Sequence, residues 1–243
     1  MERKQFIRSL SLFALSSSLG LKACSKDEDG KNSDDGNDGE DVSVDESCKV
    51  TPSETEGPFP TKTPSSYVRS DIRKGDGVGA ALTAVITIAN VNNDCKPLEG
   101  VLVDIWHCDV NGDYSEYGGT QMQSTNYQSL HWLRGRQVTD ANGQVTFQTI
   151  FPGWYQSRAT HIHAHIYSNS GNSLLVTQIA FQDSLCETVN KTGSSYGYTK
   201  GMNGYTYNAQ DNVFSDGSSQ EMSSVTGSLA DGFKLEITIR VKA

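Results

Sequence analysis

From residue 48 onward apolar and polar side chains alternate with a period of two in six short runs. That alternation limits the fold more than any other feature of the 243-residue chain. The runs are 82–88 (LTAVITI), 101–106 (VLVDIW), 144–147 (QVTF), 161–167 (HIHAHIY), 174–181 (LLVTQIAF) and 235–241 (LEITIRV). Successive side chains on a strand point to opposite faces, so each run reads as a half-buried strand. Asn111-Gly112, Asn142-Gly143 and Asp216-Gly217 mark turns between them. No stretch carries a long amphipathic helical pattern. The pattern predicts an all-β domain over 48–243, a single antiparallel β-sandwich with long loops. The last run is expected to close a sheet. Residues 184–220, rich in Gly, Ser, Asn and Tyr, are expected to lie as extended loop over one end, where loops carry function.

The stretch before this domain is of another kind. Residues 1–24 carry Arg3, Lys4, Arg8 and Lys22 against Glu2, followed by an apolar stretch over 10–21 that is too short to span a bilayer. Residues 1–23 therefore read as a signal peptide. Leu21-Lys22-Ala23-Cys24 resembles a bacterial lipobox, which makes Cys24 the lipidated first residue of the mature chain and a membrane anchor. Residues 25–47 hold ten Asp and Glu against Lys26 and Lys31, with no aromatic side chain, and cannot bury enough surface to order themselves. They read as a disordered acidic tether. The acidic residues 25–29 resemble tags that send some Gram-negative lipoproteins to the outer face of the cell. The expected location is exported and lipid-anchored to the outer membrane; for the acidic residues surface export and simple spacing both stay open. The whole chain carries a formal charge of -9 and no basic stripe, which excludes a nucleic-acid partner.

Four further cysteines, Cys48, Cys95, Cys108 and Cys186, are compatible with one or two disulfides in an exported protein. All three pairings of four cysteines stay open. Their spacing contains no CxxC, which argues against zinc.

The chemistry concentrates in residues 151–165. His161, His163 and His165 alternate on one strand face, so neighbouring imidazoles can converge on a metal ion. A second stretch, Trp106-His107-Cys108-Asp109-Val110-Asn111-Gly112-Asp113-Tyr114, runs from a strand into a turn and leaves Tyr114 at a sheet end. Its Asp109 to Asp113 portion hints at a calcium loop but lacks the closing bidentate Glu.

Trp106 with Tyr114, then Thr139-Asp140-Ala141-Asn142-Gly143, then Pro152-Gly153-Trp154-Tyr155 and Arg158-Ala159-Thr160-His161-Ile162-His163 together resemble the intradiol ring-cleavage dioxygenases of the catechol and protocatechuate type. The likeness extends back to Thr51-Pro52-Ser53-Glu54-Thr55-Glu56-Gly57-Pro58-Phe59 and forward through Gln178 to Asp211-Asn212. The resemblance implies a non-haem Fe(III) ion held by Tyr114, Tyr155, His161 and His163, with a catecholic substrate, dioxygen as co-substrate and a muconate-type dicarboxylate as product. Phenolate is a hard anionic donor suited to a ferric ion. The resemblance also implies that Tyr155 leaves the metal and accepts a substrate proton. It gives Arg158 the role of stabilising negative charge on the ring and places Gln178 beside the oxygen site. His107 and His165 are expected to support or pack, and Tyr117 competes with Tyr114 in a shifted register.

Residues 98–101, 139–147 and 151–153 also resemble transthyretin-like modules, which are non-catalytic surface domains. Such a module has no use for two tyrosines and two histidines in register. A catechol or metal binder without turnover is a third alternative.

Overall fold

The computed structural model describes residues 48–243. The expected signal peptide over 1–23, the lipidated Cys24 and the tether to residue 47 lie outside the described residues. Among the described residues no helix is long and apolar enough to cross a membrane.

The described chain is mostly β, with one α-helix. In order it forms β1 (Ala81–Asn90), β2 (Lys96–Pro97), β3 (Leu102–Trp106), β4 (Arg134–Val138), β5 (Gln144–Ile150), β6 (His161–Tyr167), β7 (Ser173–Ala180), α1 (Asp183–Thr192), β8 (Ser224–Ser228) and β9 (Gly232–Val241). All six alternating runs form strands. Two sheets result, one ordered β4-β3-β6-β7 and one ordered β2-β1-β9-β8 with β5 also paired to β1. Their apolar faces share one core, to which β1 and β9 give Ile86, Ile88, Leu235 and Ile239 while β3 and β6 give Val103, Ile105, Ile162 and Ile166. Burial of these branched side chains, at roughly 25 cal/mol per Å² of apolar surface, is the main force holding the sheets.

Three expectations need correction. The strands are not all antiparallel, because β1 and β9 run parallel from the pair Leu82 and Phe233 to the pair Asn90 and Val241. Strand β9 also lies between β1 and β8 instead of closing a sheet. Its neighbour β8 (SVTGS) is short, polar and largely exposed, so it sends no apolar signal. Residues 184–220 are not all loop, since α1 occupies the start of that stretch and buries Cys186, Val189 and Asn190. With so few apolar residues over ten positions its helical period is hard to see. Strand β4 (RGRQV) was hidden for the same reason: it is charged, yet its first two residues are buried.

Cys48 and Cys95 form a disulfide with a Cα separation of 5.8 Å. Among the described residues Cys108 and Cys186 are free and buried. Burial pushes both thiols up, that of Cys186 to about 11, so neither is a ready thiolate.

The sheet β4-β3-β6-β7 positions the functional side chains. Its inner face carries Val103, Ile105, Ile162, Ala164 and Ile166 into the core. The alternate residues face the other way. Register pairs Trp106 with His163 and His163 with Gln178, so three strands deliver one row of polar and aromatic groups.

Candidate functional site

Two loops complete the row. One follows β3 and carries Tyr114; the other follows β5 and carries Tyr155. They cross closely, because a Cβ on Gly153 would lie 2.4 Å from the Asp109 carbonyl oxygen and 2.6 Å from that of Val110. Only glycine permits that approach. Asp109 shapes its own turn by accepting from the Asn111 and Asp113 amides at 2.9 and 3.2 Å through Oδ1, with Lys74 at 3.4 Å on Oδ2. The Asp109 carboxylate thus builds a turn. The Tyr155–Arg158 turn closes with the Arg158 amide donating to the Tyr155 carbonyl at 3.2 Å, and Ser157 takes φ +70° within it. The turn sets Arg158 beside the Tyr155 ring.

The imidazoles of His161 and His163 are buried, and their Nε2 atoms face each other at 3.1 Å. His161 Nδ1 lies 2.6 Å from the Ala159 carbonyl oxygen, which accepts only from an N–H. The His161 proton is therefore on Nδ1, and its Nε2 offers a lone pair. His163 Nδ1 is buried without a hydrogen-bond partner, so either tautomer of His163 leaves one of its ring nitrogens unmatched. A cation taking both Nε2 lone pairs would remove the clash between them, and the donor set fits a metal. Burial above all, with Arg158 adding to it at His161 and the neighbouring imidazole at His163, holds both histidines well below the usual range. Neutral imidazole is the ligating form.

The two phenols close around this pair. Tyr114 is fully buried with its hydroxyl 3.5 Å from His161 Nε2. The Tyr155 ring stands 5.7 Å from the rings of both His161 and Tyr114. Burial, then Cys108 and Tyr155, push the Tyr114 phenol well above its ordinary range. Burial also raises Tyr155, with Arg158 pulling the other way. A phenol in such a place gives up its proton only to a strong local cation.

Arg158 borders the cluster. Its Nε donates to both oxygens of Asp211 at 3.0 and 2.9 Å, its Nη1 to the Tyr155 hydroxyl at 3.3 Å and its Nη2 to Gln178 Oε1. Gln178 in turn donates through Nε2 to the Thr55 carbonyl at 2.8 Å.

The sequence model of a family described as dioxygenase matches residues 56–191, more than half of the chain. The fold superposes on an intradiol ring-cleavage dioxygenase from Tetranychus urticae with a TM-score of 0.69 and 30% identity, covering 80% of this chain and 95% of that one. The chain belongs to the intradiol ring-cleavage dioxygenases. It is also 32% identical over 152 residues to catechol 1,2-dioxygenase of Acinetobacter baylyi, covering 54% of this chain and 46% of that protein. To the protocatechuate 3,4-dioxygenase beta chain of Burkholderia cepacia it is 28% identical over 120 residues, 46% of this chain and 49% of the relative. The chain spans about half the length of these two relatives.

In this intradiol dioxygenase the six sequence-predicted residues Tyr114, Tyr155, His161, His163, Arg158 and Gln178 are brought together. Three others are not. His107 is buried between the Thr149 hydroxyl at 2.7 Å and the Cys108 carbonyl at 2.8 Å. His165 is occupied by Ser173 at 2.8 Å and Glu56 at 2.9 Å. Tyr117 donates its hydroxyl to the Pro60 carbonyl at 2.7 Å, which leaves Tyr114 as the phenol beside His161.

Sequence reasoning missed the residues that hold the cluster in place. Trp106 stacks on His163 with ring centroids 4.9 Å apart and planes 2° from parallel, and Phe59 stacks on Tyr114 at 4.8 Å. Both lie in motifs that carried the family likeness but were given no role. Arg134, buried behind Tyr114, donates to Ser115 Oγ at 3.0 Å, the Ser115 carbonyl at 2.6 Å and the Phe59 carbonyl at 3.0 Å. It joins the Tyr114 loop to the N-terminal segment. Its only sequence signal is a charged residue between Leu133 and Gly135, which reads as surface.

Proposed function

We propose that the chain is an Fe(III) dioxygenase that cleaves the ring of a catecholic compound between its two hydroxyl-bearing carbons, giving a muconate-type dicarboxylate. The reading rests on one observation: two buried, neutral imidazoles present their Nε2 atoms to each other at 3.1 Å with the Tyr114 and Tyr155 phenols beside them. Tyr114, Tyr155, His161 and His163 would hold the ion. Two phenolates and two neutral imidazoles suit a hard trivalent ion better than the two histidines and one carboxylate typical of Fe(II). When bound, Fe(III) would act as a Lewis acid on the substrate oxygens and supply the electronic coupling between the ring and dioxygen.

The chain's own groups supply the rest. Tyr155 is less buried than Tyr114 and touches Arg158, which makes its Oη the natural acceptor for a catechol hydroxyl proton. The Arg158 guanidinium, always charged, would stabilise negative charge developing on the ring, and Asp211 fixes its direction. Gln178 holds the far side of Arg158 and in this reading would border the dioxygen. Phe59, stacked on Tyr114, keeps water off the buried phenol. A groove of about 480 Å³ with a mixed lining that includes Phe59, Lys62, Glu116, Tyr117 and Gln128 opens beside the Phe59 ring that covers Tyr114, and a catecholic compound would enter from there. A lipid on Cys24 would place this chemistry outside the cytoplasm, at the outer membrane.

A visible absorption spectrum of the iron-loaded protein, with catechol then added under air, tests the reading. The expected result is a tyrosinate-to-Fe(III) band that shifts on adding catechol, followed by ultraviolet absorbance from a muconate. Absence of the band with all four ligands intact would sink the assignment. A shift without product would leave a catechol binder.

A further inference from the structure

Three carboxylates, one from the N-terminal segment and two from the loop before β8, meet away from the tyrosines and histidines. Glu54 comes from the N-terminal segment, Asp216 from the loop before β8, and Glu221 from the residues just ahead of that strand. An oxygen of each lies within 4.8 Å of those of the other two. Glu221 is fully buried. Its Oε1 accepts from the Thr177 hydroxyl at 3.2 Å, while its Oε2 is buried with no hydrogen-bond partner.

A buried carboxylate oxygen without a donor is costly, and such groups persist when they are paired or coordinate a metal. Arg158, whose charge reaches Glu54, is already committed to Asp211. Burial first, and then Glu54, push the Glu221 carboxyl up to about 8, so in neutral solution it holds a proton for want of a cation. Even then Glu54 and Asp216 face each other. Glu54 is partly exposed and Asp216 exposed, which leaves water access on one side of the group.

We propose that Glu54, Asp216 and Glu221 form a calcium site that fastens the N-terminal segment to the loop before β8. The donors are all oxygen, the choice of a hard divalent ion. Calcium bonds oxygen at about 2.3–2.6 Å in a flexible shell and can bridge oxygens nearly 5 Å apart, whereas magnesium needs a tighter octahedron. Water would fill the open side. The segment it fastens is the one that covers the family site: the Glu54 amide donates to the Val176 carbonyl at 2.8 Å, and at Gly57, three residues on, a Cβ would lie 3.1 Å from His163 Cε1.

Thermal unfolding of the purified protein in EGTA, in CaCl2 and in MgCl2 at matched ionic strength tests the site. At a calcium concentration 100 times the dissociation constant, Tm is expected to rise by about 5–10 °C, with a much smaller rise in magnesium. Asp216→Asn, at an exposed position that leaves the fold intact, and Glu221→Gln should each abolish the calcium-specific rise. Equal shifts in calcium and magnesium, no shift in the wild type, or a calcium shift that survives Asp216→Asn would overturn the assignment.

Discussion

Asp211 grips Arg158 through both carboxylate oxygens, at 3.0 and 2.9 Å from Nε, and accepts the Ala159 amide at 2.7 Å with one of them. One acidic side chain from the loop after α1 thereby fixes both the guanidinium and the start of the strand that bears His161. If Arg158 stabilises charge on the ring, Arg158→Ala should lower kcat by about 100- to 1000-fold while the iron band stays. Arg158→Lys should recover little of that loss, because an ammonium cannot reproduce the fork that meets Asp211, Tyr155 and Gln178 at once. Asp211→Ala leaves a buried guanidinium without its partner, and a loss of about 3–5 kcal/mol in stability is expected from chemical denaturation.

The Tyr114 and Tyr117 hydroxyls point to different neighbours, one to His161 at 3.5 Å and the other to the Pro60 carbonyl at 2.7 Å. Tyr117→Phe should therefore cost one hydrogen bond, about 1 kcal/mol, and leave the tyrosinate-to-Fe(III) band unchanged. Tyr114→Phe should shift or weaken the band and release iron. Iron content and visible spectra of the two variants decide the register, and the reverse pattern would move the ligand to Tyr117.

The grouping of the histidines with the tyrosines was legible in the sequence because strand alternation is a strict rule. His161 and His163 two residues apart must share a face, and the turn residues around Gly112 and Gly153 bring in the tyrosines. The supports were not legible. Asp211 lies 53 positions from Arg158, and a contact at that distance leaves no periodic trace. Arg134 and the rest of β4 look like surface because burial of a charged strand depends on partners elsewhere in the chain. The parallel pairing of β1 with β9 was equally hidden, since alternation is the same in parallel and antiparallel neighbours. The pairing of Cys48 with Cys95 was not legible because spacing alone leaves three choices.

Glu221 gives the stability of the calcium-free protein a pH dependence whose sign follows from its position. Its folded pKa, about 8, lies above the ordinary 4.5 because of burial and then Glu54, with Asp216 adding to the rise and the Thr177 hydroxyl and the Gln178 backbone N–H opposing it. The folded state therefore holds more protons than the unfolded state between these values. The stabilising contribution is complete below pH 4.5 and is lost as pH rises through 8. In EGTA the slope from this group should approach about 1.4 kcal/mol per pH unit at its steepest. Denaturant titrations from pH 5 to 9 should show it in the wild type, and Glu221→Gln should flatten it. An unchanged slope in that variant would assign the dependence to other groups.

The cross-link between Cys48 and Cys95 closes a loop of 47 residues and fixes the beginning of the segment that reaches the site. Just beyond Cys48 the Thr51 amide donates to the Arg240 carbonyl at 3.0 Å, and the Arg240 amide returns to Thr51 Oγ1 at 2.9 Å. The disulfide thus ties the segment to the turn between β1 and β2, and Thr51 ties it to β9, before it passes Glu54, Gly57 and Phe59. A loop of this length restricts the unfolded chain by about 4 kcal/mol. Replacing both cysteines with serine should lower Tm by about 8–16 °C. Because Thr51 and Glu54 still hydrogen-bond to β9 and β7, the iron band at 25 °C should remain while its loss on heating moves down with Tm. In the wild type, Cys108 and Cys186 should stay unreactive toward a thiol reagent until the protein unfolds, as expected for buried thiols with raised pKa. Rapid labelling of either cysteine under native conditions would contradict that expectation.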